Sequence, residues 1–139
     1  MIMTTILNKQ DFVIIREQDV IPFRNQVKDA AVKVGMGILN QTKLITAASE
    51  LVRNLLKYGG GGTAEIETVS NGRENGVRLR FSDKGPGIKD LDLAMKDGYS
   101  TGKSLGLGLP GTKRLVNEFN IQSTVGEGTI VTIIKWKNG

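Results

Sequence analysis

Glu50 and Asn54 stand one helical turn apart in the stretch ITAASELVRN (45–54), and Lys57 extends the same polar side. The pattern suits a solvated helix face. It also suits chemistry, because a carboxylate and an amide at that spacing can orient a hydroxyl nucleophile and help to hold a hard cation such as Mg2+. A second constellation is Asp83-Lys84-Gly85-Pro86-Gly87. Pro-Gly is turn chemistry. Glycines flanking the proline also let the backbone wrap closely round a flat ligand, with Asp83 accepting a hydrogen bond from an amino group. The third is the glycine-rich run from Gly102 to Gly111. Free backbone N–H groups at a glycine-rich helix start favour a phosphate, and Lys103 adds a mobile point charge.

Two familiar phosphate motifs nearly match this last run and fail. Gly98 is separated from Gly102-Lys103-Ser104 by three residues, whereas a P-loop needs four and a preceding buried strand. Gly106-x-Gly108-x-x-Gly111 satisfies the dinucleotide fingerprint letter for letter. However, the polar segment 97–104 before it does not read as a strand, and the acid downstream, Glu127, falls in a hairpin turn rather than at a strand end.

Composition narrows the remaining chemistry. The 139 residues include no histidine and no cysteine. Thiolate zinc sites, disulfides, cysteine nucleophiles, Ser-His-Asp triads and a phosphohistidine are therefore excluded on this chain. Carboxylates, amides, hydroxyls, lysines, arginines and backbone remain. The net charge is +5, from 19 basic and 14 acidic residues. The basic residues are scattered and aromatics are few, so a nucleic acid partner is not expected. An acidic protein surface or a polyphosphate fits the charge equally well. No apolar run reaches the ~20 residues of a membrane span, and no secretory signal precedes the first strand; a cytoplasmic protein is expected. Glycine is the informative excess at 18 residues.

These residues need elements to hold them. The length suits one domain, 1–139. Segment 11–18 reads as a strand. Segment 19–36 reads as a helix with Asp19 as N-cap and Val20, Phe23, Val27, Ala30, Ala31 and Val34 on one stripe. Segment 40–58 reads as a second helix with Leu44, Ala48, Leu51 and Leu55 on one face, ended by the run Gly59–Gly62. Strands are expected at 63–70 and 77–82, with Glu65, Glu67, Arg78 and Arg80 outward. A short helix is expected at 91–95 and a third long helix at 107–119. Strands at 121–125 and 129–136 form a hairpin through Gly126-Glu127-Gly128. The class is an α/β (α+β) two-layer sandwich, with a mixed, largely antiparallel sheet of about five strands under three helices.

The motifs in order (Glu-x3-Asn on a helix, Asp-x-Gly-x-Gly after a strand, Gly-x-Gly at a helix start, and Gly128-Thr129 opening the last strand) resemble the GHKL ATPase and kinase superfamily, the Bergerat fold of gyrase, Hsp90, histidine kinases and MutL. The resemblance spans roughly residues 12–137. The stretches DKGPGI (83–88), DGYST (97–101), GLPGTKRLVNEF (108–119) and GEGTIVTIIKW (126–136) are similar to the small bacterial serine/threonine kinases of the anti-sigma type, among them the switch kinases of the stressosome. The resemblance implies ATP and Mg2+ as cofactors. It implies that Asn54 holds the metal against the phosphates and that Glu50 orients or deprotonates the acceptor hydroxyl. Asp83 would bind the adenine amino group, with Thr129 completing that pocket and Gly85 and Gly87 shaping its wall. Residues 100–105 would form a short lid, with Lys103, Gly106 and Gly108 near the phosphates. The implied function is phosphorylation of a STAS-domain antagonist or scaffold, with activation of a regulatory phosphatase by binding. The alternative is an anti-sigma factor that sequesters a sigma factor in a nucleotide-dependent complex. Sensor-kinase chemistry is excluded by the missing histidine. The four-glycine run after the Asn54 helix departs from the pattern and predicts a looser edge to the site.

Overall fold

The computed structural model describes residues 4–96 and 108–139. Five strands form one sheet: β1 (Thr5–Ile14), β2 (Gly62–Ser70), β3 (Asn75–Asp83), β4 (Glu118–Thr124) and β5 (Gly128–Trp136), in the spatial order β1-β2-β3-β5-β4. Every neighbouring pair is antiparallel. The sheet is thus antiparallel throughout rather than mixed. Among the described residues four α-helices accompany it, α1 (Val20–Lys33), α2 (Ile38–Lys57), α3 (Leu91–Ala94) and α4 (Gly108–Arg114), with a 3-10 turn at Glu17–Asp19 before α1.

The two long helices bury the expected stripes. Phe23, Val27, Ala30, Ala31 and Val34 from α1 and its end, and Leu44, Ala48, Leu51 and Leu55 from α2, join Ala64, Ile66, Leu79, Phe81 and Ile133 of the sheet in one core. Phe23 sits edge-on to Phe12 at 5.5 Å and to Phe81 at 5.6 Å between ring centres. Each large side chain buried this way contributes about 1.5–3 kcal/mol. The other face of the sheet carries the charges that the alternation put outward. Glu67 accepts from Arg78 at 2.8 Å, and Glu65 lies 3.3 Å from Arg80 and 3.2 Å from Lys9.

Three elements differ from expectation, each for an identifiable reason. β1 begins at Thr5 and stops at Ile14, not at Gln18. The Asp19 carboxylate ends it: Oδ2 accepts the amides of Ile15 and Arg16 at 2.9 and 3.0 Å, so those N–H groups leave the extended run. The same two bonds hold the Asp19 carboxyl below its ordinary value of 3.8. Asp19 does occupy the N-cap position of α1, but its side chain makes no cap bond into that helix. The expected long helix at 107–119 is the short α4. After Arg114 the amide of Asn117 donates to the Ile134 carbonyl at 2.9 Å, and the Asn117 side chain accepts from the Trp136 amide at 2.8 Å. The segment EFNIQST then pairs with β5 as an edge strand. Phe119 stands four residues after Leu115 and two before Ile121, so it serves either period, and pairing with β5 decides between them. Among the described residues no helix is long and apolar enough to cross a membrane.

Candidate nucleotide site

The site begins with sheet register. Gly62, Asp83, Thr129 and Ser123 lie opposite one another across β2, β3, β5 and β4, forming one row at one end of the sheet. Because side chains alternate along a strand, Asp83 shares its face with Phe81 and Thr129 with Val131. The row therefore emerges on the side covered by the helices.

Asp83 ends β3 and organises the loop that follows. Its Oδ1 accepts from the Gly85 amide at 2.9 Å and from the Thr129 amide at 3.3 Å. Its Oδ2 makes no hydrogen bond among the described residues. One carboxylate oxygen is thus fixed by the protein, and the other is available as an acceptor. The Gly85-Pro86-Gly87 loop is pinned further along. Gly87 has φ +77, and an added Cβ would stand 2.5 Å from the Thr124 carbonyl, so only glycine lets the loop lie against β4. The Gly126 amide donates to the Pro86 carbonyl at 2.9 Å.

Gly59 delivers the end of α2 to the same place. A Cβ built on Gly59 would lie 2.6 Å from the Cγ of Asp83, and one built on Gly85 would lie 3.0 Å from the Cα of Gly59. The Gly59 amide is in turn held by the Asn54 carbonyl at 3.2 Å. Gly59 is therefore a close backbone junction between α2 and Asp83 rather than the looser edge expected there, while Gly60 has open space around it. Absence of side chains lets two backbones approach; it does not loosen them once packed.

Glu50 and Asn54 occupy one side of α2, a turn apart as their spacing requires. Glu50 is buried, and its Oε2 pairs with the half-exposed Arg53 at 3.1 Å. Asn54 is partly exposed. Gly108 opens α4, and its carbonyl accepts from the Thr112 hydroxyl at 2.9 Å. Lys103, Gly106 and the proposed lid at 100–105 lie outside the described residues. No group of three or more Asp or Glu side chains could hold a metal among the described residues. A magnesium ion here would thus need phosphate oxygens and water beside the Asn54 amide, which suits a cation that keeps several waters and binds through substrate phosphates.

Two participants were not singled out from the sequence. Gly59 belongs to the run that ends α2, and nothing in the sequence marks it out from its three neighbours. Ser123 was visible as a polar residue at an inward position of an alternating strand. Its Oγ accepts from the Ile88 amide at 2.8 Å and lies 2.8 Å from the Thr129 hydroxyl. It ties the loop after Asp83 to β5.

The family model described as histidine kinase-, DNA gyrase B- and HSP90-like ATPase matches residues 39–138. The serine/threonine-protein kinase RsbT of Bacillus subtilis (strain 168) is 42% identical over 131 residues, covering 94% of this chain and 98% of its own length. The anti-sigma F factor of Anoxybacillus flavithermus (strain DSM 21510 / WK1) is 32% identical over 101 residues, 68% of either chain. Among solved structures, the RsbU and RsbW domains of Rv1364c from Mycobacterium tuberculosis superpose with a TM-score of 0.64 at 18% identity, covering 92% of this chain and 31% of that one. The Acinetobacter baumannii histidine kinase AdeS superposes with a TM-score of 0.51 at 19% identity, covering 96% of this chain and 69% of that one. These two likenesses concern the fold.

Proposed function

The chain belongs to the family of histidine kinase-, DNA gyrase B- and HSP90-like ATPases, and from that premise we propose that it is a serine/threonine protein kinase of the partner-switching type, acting from Mg-ATP on a protein hydroxyl. The observation that carries the reading is the Asp83 carboxylate, with Oδ1 held by Gly85 and Thr129 and Oδ2 left to accept. It stands beside glycine loops able to approach a flat base. A near full-length relative that is named a serine/threonine-protein kinase supports the activity.

Phosphoryl transfer asks mainly for positioning and charge neutralisation, so a chain without histidine or cysteine can perform it. When bound, Mg-ATP supplies the phosphoryl group and neutralises its charge. The chain's own residues do the rest. Asp83 and Thr129 accept from the amino edge of adenine. Gly85 and Gly87 form the wall against which the base lies. Asn54 holds the metal at the phosphates from α2. Glu50, one turn earlier on the same side, orients the acceptor hydroxyl and takes its proton. Lys103, Gly106 and Gly108 approach the phosphates from the glycine-rich segment.

The acceptor protein is a STAS-domain antagonist or scaffold, and the kinase also activates a regulatory phosphatase by binding it. Residues 1–139 act as one domain in the cytoplasm, with neither nucleic acid nor membrane as partner. A second reading, sequestration of a sigma factor, draws support from the anti-sigma F relatives. Incubation with labelled ATP, Mg2+ and candidate STAS-domain proteins tests the proposal. Label on a partner serine or threonine is expected; tight nucleotide-dependent binding of a sigma factor with no transfer to any STAS protein would favour the second reading.

A further inference from the structure

We infer that Arg53 is a positioning residue for phosphoryl transfer, one that clamps a single oxygen of Glu50 and leaves the other to face the acceptor hydroxyl. The inference deepens the reading of Glu50 as the residue that takes the acceptor's proton, and it rests on that reading.

Glu50 holds a charge in a poor place for one. It is 5% exposed, and its helix neighbours Ala47, Leu51 and Val52 are buried with it. A carboxylate so placed needs a compensating cation and a hydrogen bond. Among the described residues it has one polar partner: Arg53 Nη1 donates to Oε2 at 3.1 Å. Oε1 has no partner there. Yet no side-chain oxygen or nitrogen among the described residues is both sealed from solvent and without a partner. Oε1 therefore keeps an opening to solvent. One oxygen is held and the other is reachable.

The helix explains why Arg53 is the residue that does this. It stands three positions after Glu50, and Asn54 stands four after it, so all three share one side of α2. The Arg53 side chain is 55% exposed and that of Glu50 6%, so the guanidinium reaches in from the rim and caps the carboxylate. A glutamate side chain is long and free to turn. Packing along its stem and the bond at Oε2 together take that freedom away. In transfer the acceptor oxygen bonds to phosphorus as the bond from phosphorus to the departing ADP oxygen breaks, and the acceptor's proton passes to Oε1. Misplacing that oxygen by about 1 Å can cost about 100-fold in rate.

The test is single-turnover transfer from labelled ATP to a STAS-domain protein, with calorimetric ATP affinity of the full chain measured alongside. Arg53→Met keeps the aliphatic stem and drops the charge. Its transfer rate should fall by about 10- to 100-fold, with ATP affinity within about twofold. Arg53→Lys, which keeps a cation, should recover most of the rate. In a Glu50→Gln background Arg53→Met should cost nothing further, because Arg53 works only through Glu50. A full further loss in that background would mean that Arg53 meets the acceptor or the phosphates itself, and would overturn the inference. So would an Arg53→Met protein that transfers at the parental rate, or one whose loss lies in ATP affinity. Unchanged transfer by Glu50→Gln alone would instead remove the reading of Glu50, and the inference with it.

Discussion

A β-carbon added at Gly59 would stand 2.6 Å from both Cβ and Cγ of Asp83 and 2.7 Å from its Oδ2. Gly59 is not in the positive-φ region, so alanine is conformationally acceptable there and the only penalty is contact. Gly59→Ala should push the Asp83 carboxyl out of the bonds it accepts and weaken adenine nucleotide binding by at least about 10-fold. Gly37, with open space around its Cα, is the matched control, and Gly37→Ala should bind normally. Calorimetric affinities for the pair settle it; parity between them would show that the junction does not position Asp83.

Asp83→Asn keeps the shape of the side chain and the Oδ1 acceptor for Gly85 and Thr129, but turns the outward oxygen into an amide donor. The fold should survive, with thermal stability changed by less than about 1 kcal/mol. Nucleotide affinity should fall on the order of 100-fold, since a donor then faces the amino edge of the base. A variant that melts as before and still binds ATP at parental affinity would contradict the role of Asp83.

Glu50→Gln separates binding from transfer. The partner arginine, Arg53, has 55% of its side chain exposed, so losing the ion pair costs little. Nucleotide affinity should stay within about twofold, while label transfer to a STAS-domain substrate drops by about 100- to 10,000-fold, the usual range for a removed general base. Unchanged transfer would exclude Glu50 from the reaction.

Lys135 supplies a pH-dependent prediction. It lies 3% exposed on the helix-facing side of β5, and its Nζ donates to the Gly139 carbonyl at 3.2 Å. Burial first, then the nearby Lys43 charge, hold its ammonium below the ordinary 10.5. The folded chain therefore binds this proton less tightly than the unfolded chain, and Lys135 weakens the fold at neutral pH. That penalty fades as pH climbs from the depressed folded value to 10.5. Lys135→Met should raise the melting temperature at pH 7 by about 2–5 °C, and the gain should narrow toward pH 10. A gain that is flat with pH would show that packing, not charge, limits stability here.

Much of this was legible in the chain itself. The stripes of α1 and α2 and the alternation of charged with apolar residues along β2 and β3 follow from period alone, although Glu67 on the charged side is itself buried against Arg78. The boundaries that failed were set by partners that period does not reveal, one near in sequence and one distant. Ile15 and Arg16 leave the strand because Asp19 takes their amides, and Glu118–Thr124 is a strand because β5 is there to pair with it. The site shows the same division. Asp83 and its glycines are announced by their spacing. Gly59 gains its meaning only from its distance to Asp83, and Ser123 from its register opposite Thr129; neither relation exists until the sheet has formed.

The row Gly62, Asp83, Thr129, Ser123 draws one residue from each of four strands. Sliding β5 by a single position would send Thr129 to the charged side of the sheet and dissolve the row. Competence to capture a ligand is thus a proofreading signal for correct assembly. Ligand added during refolding should reward only chains that have zipped in the right frame, so the same geometry proposed to recognise the base also audits the protein's own construction.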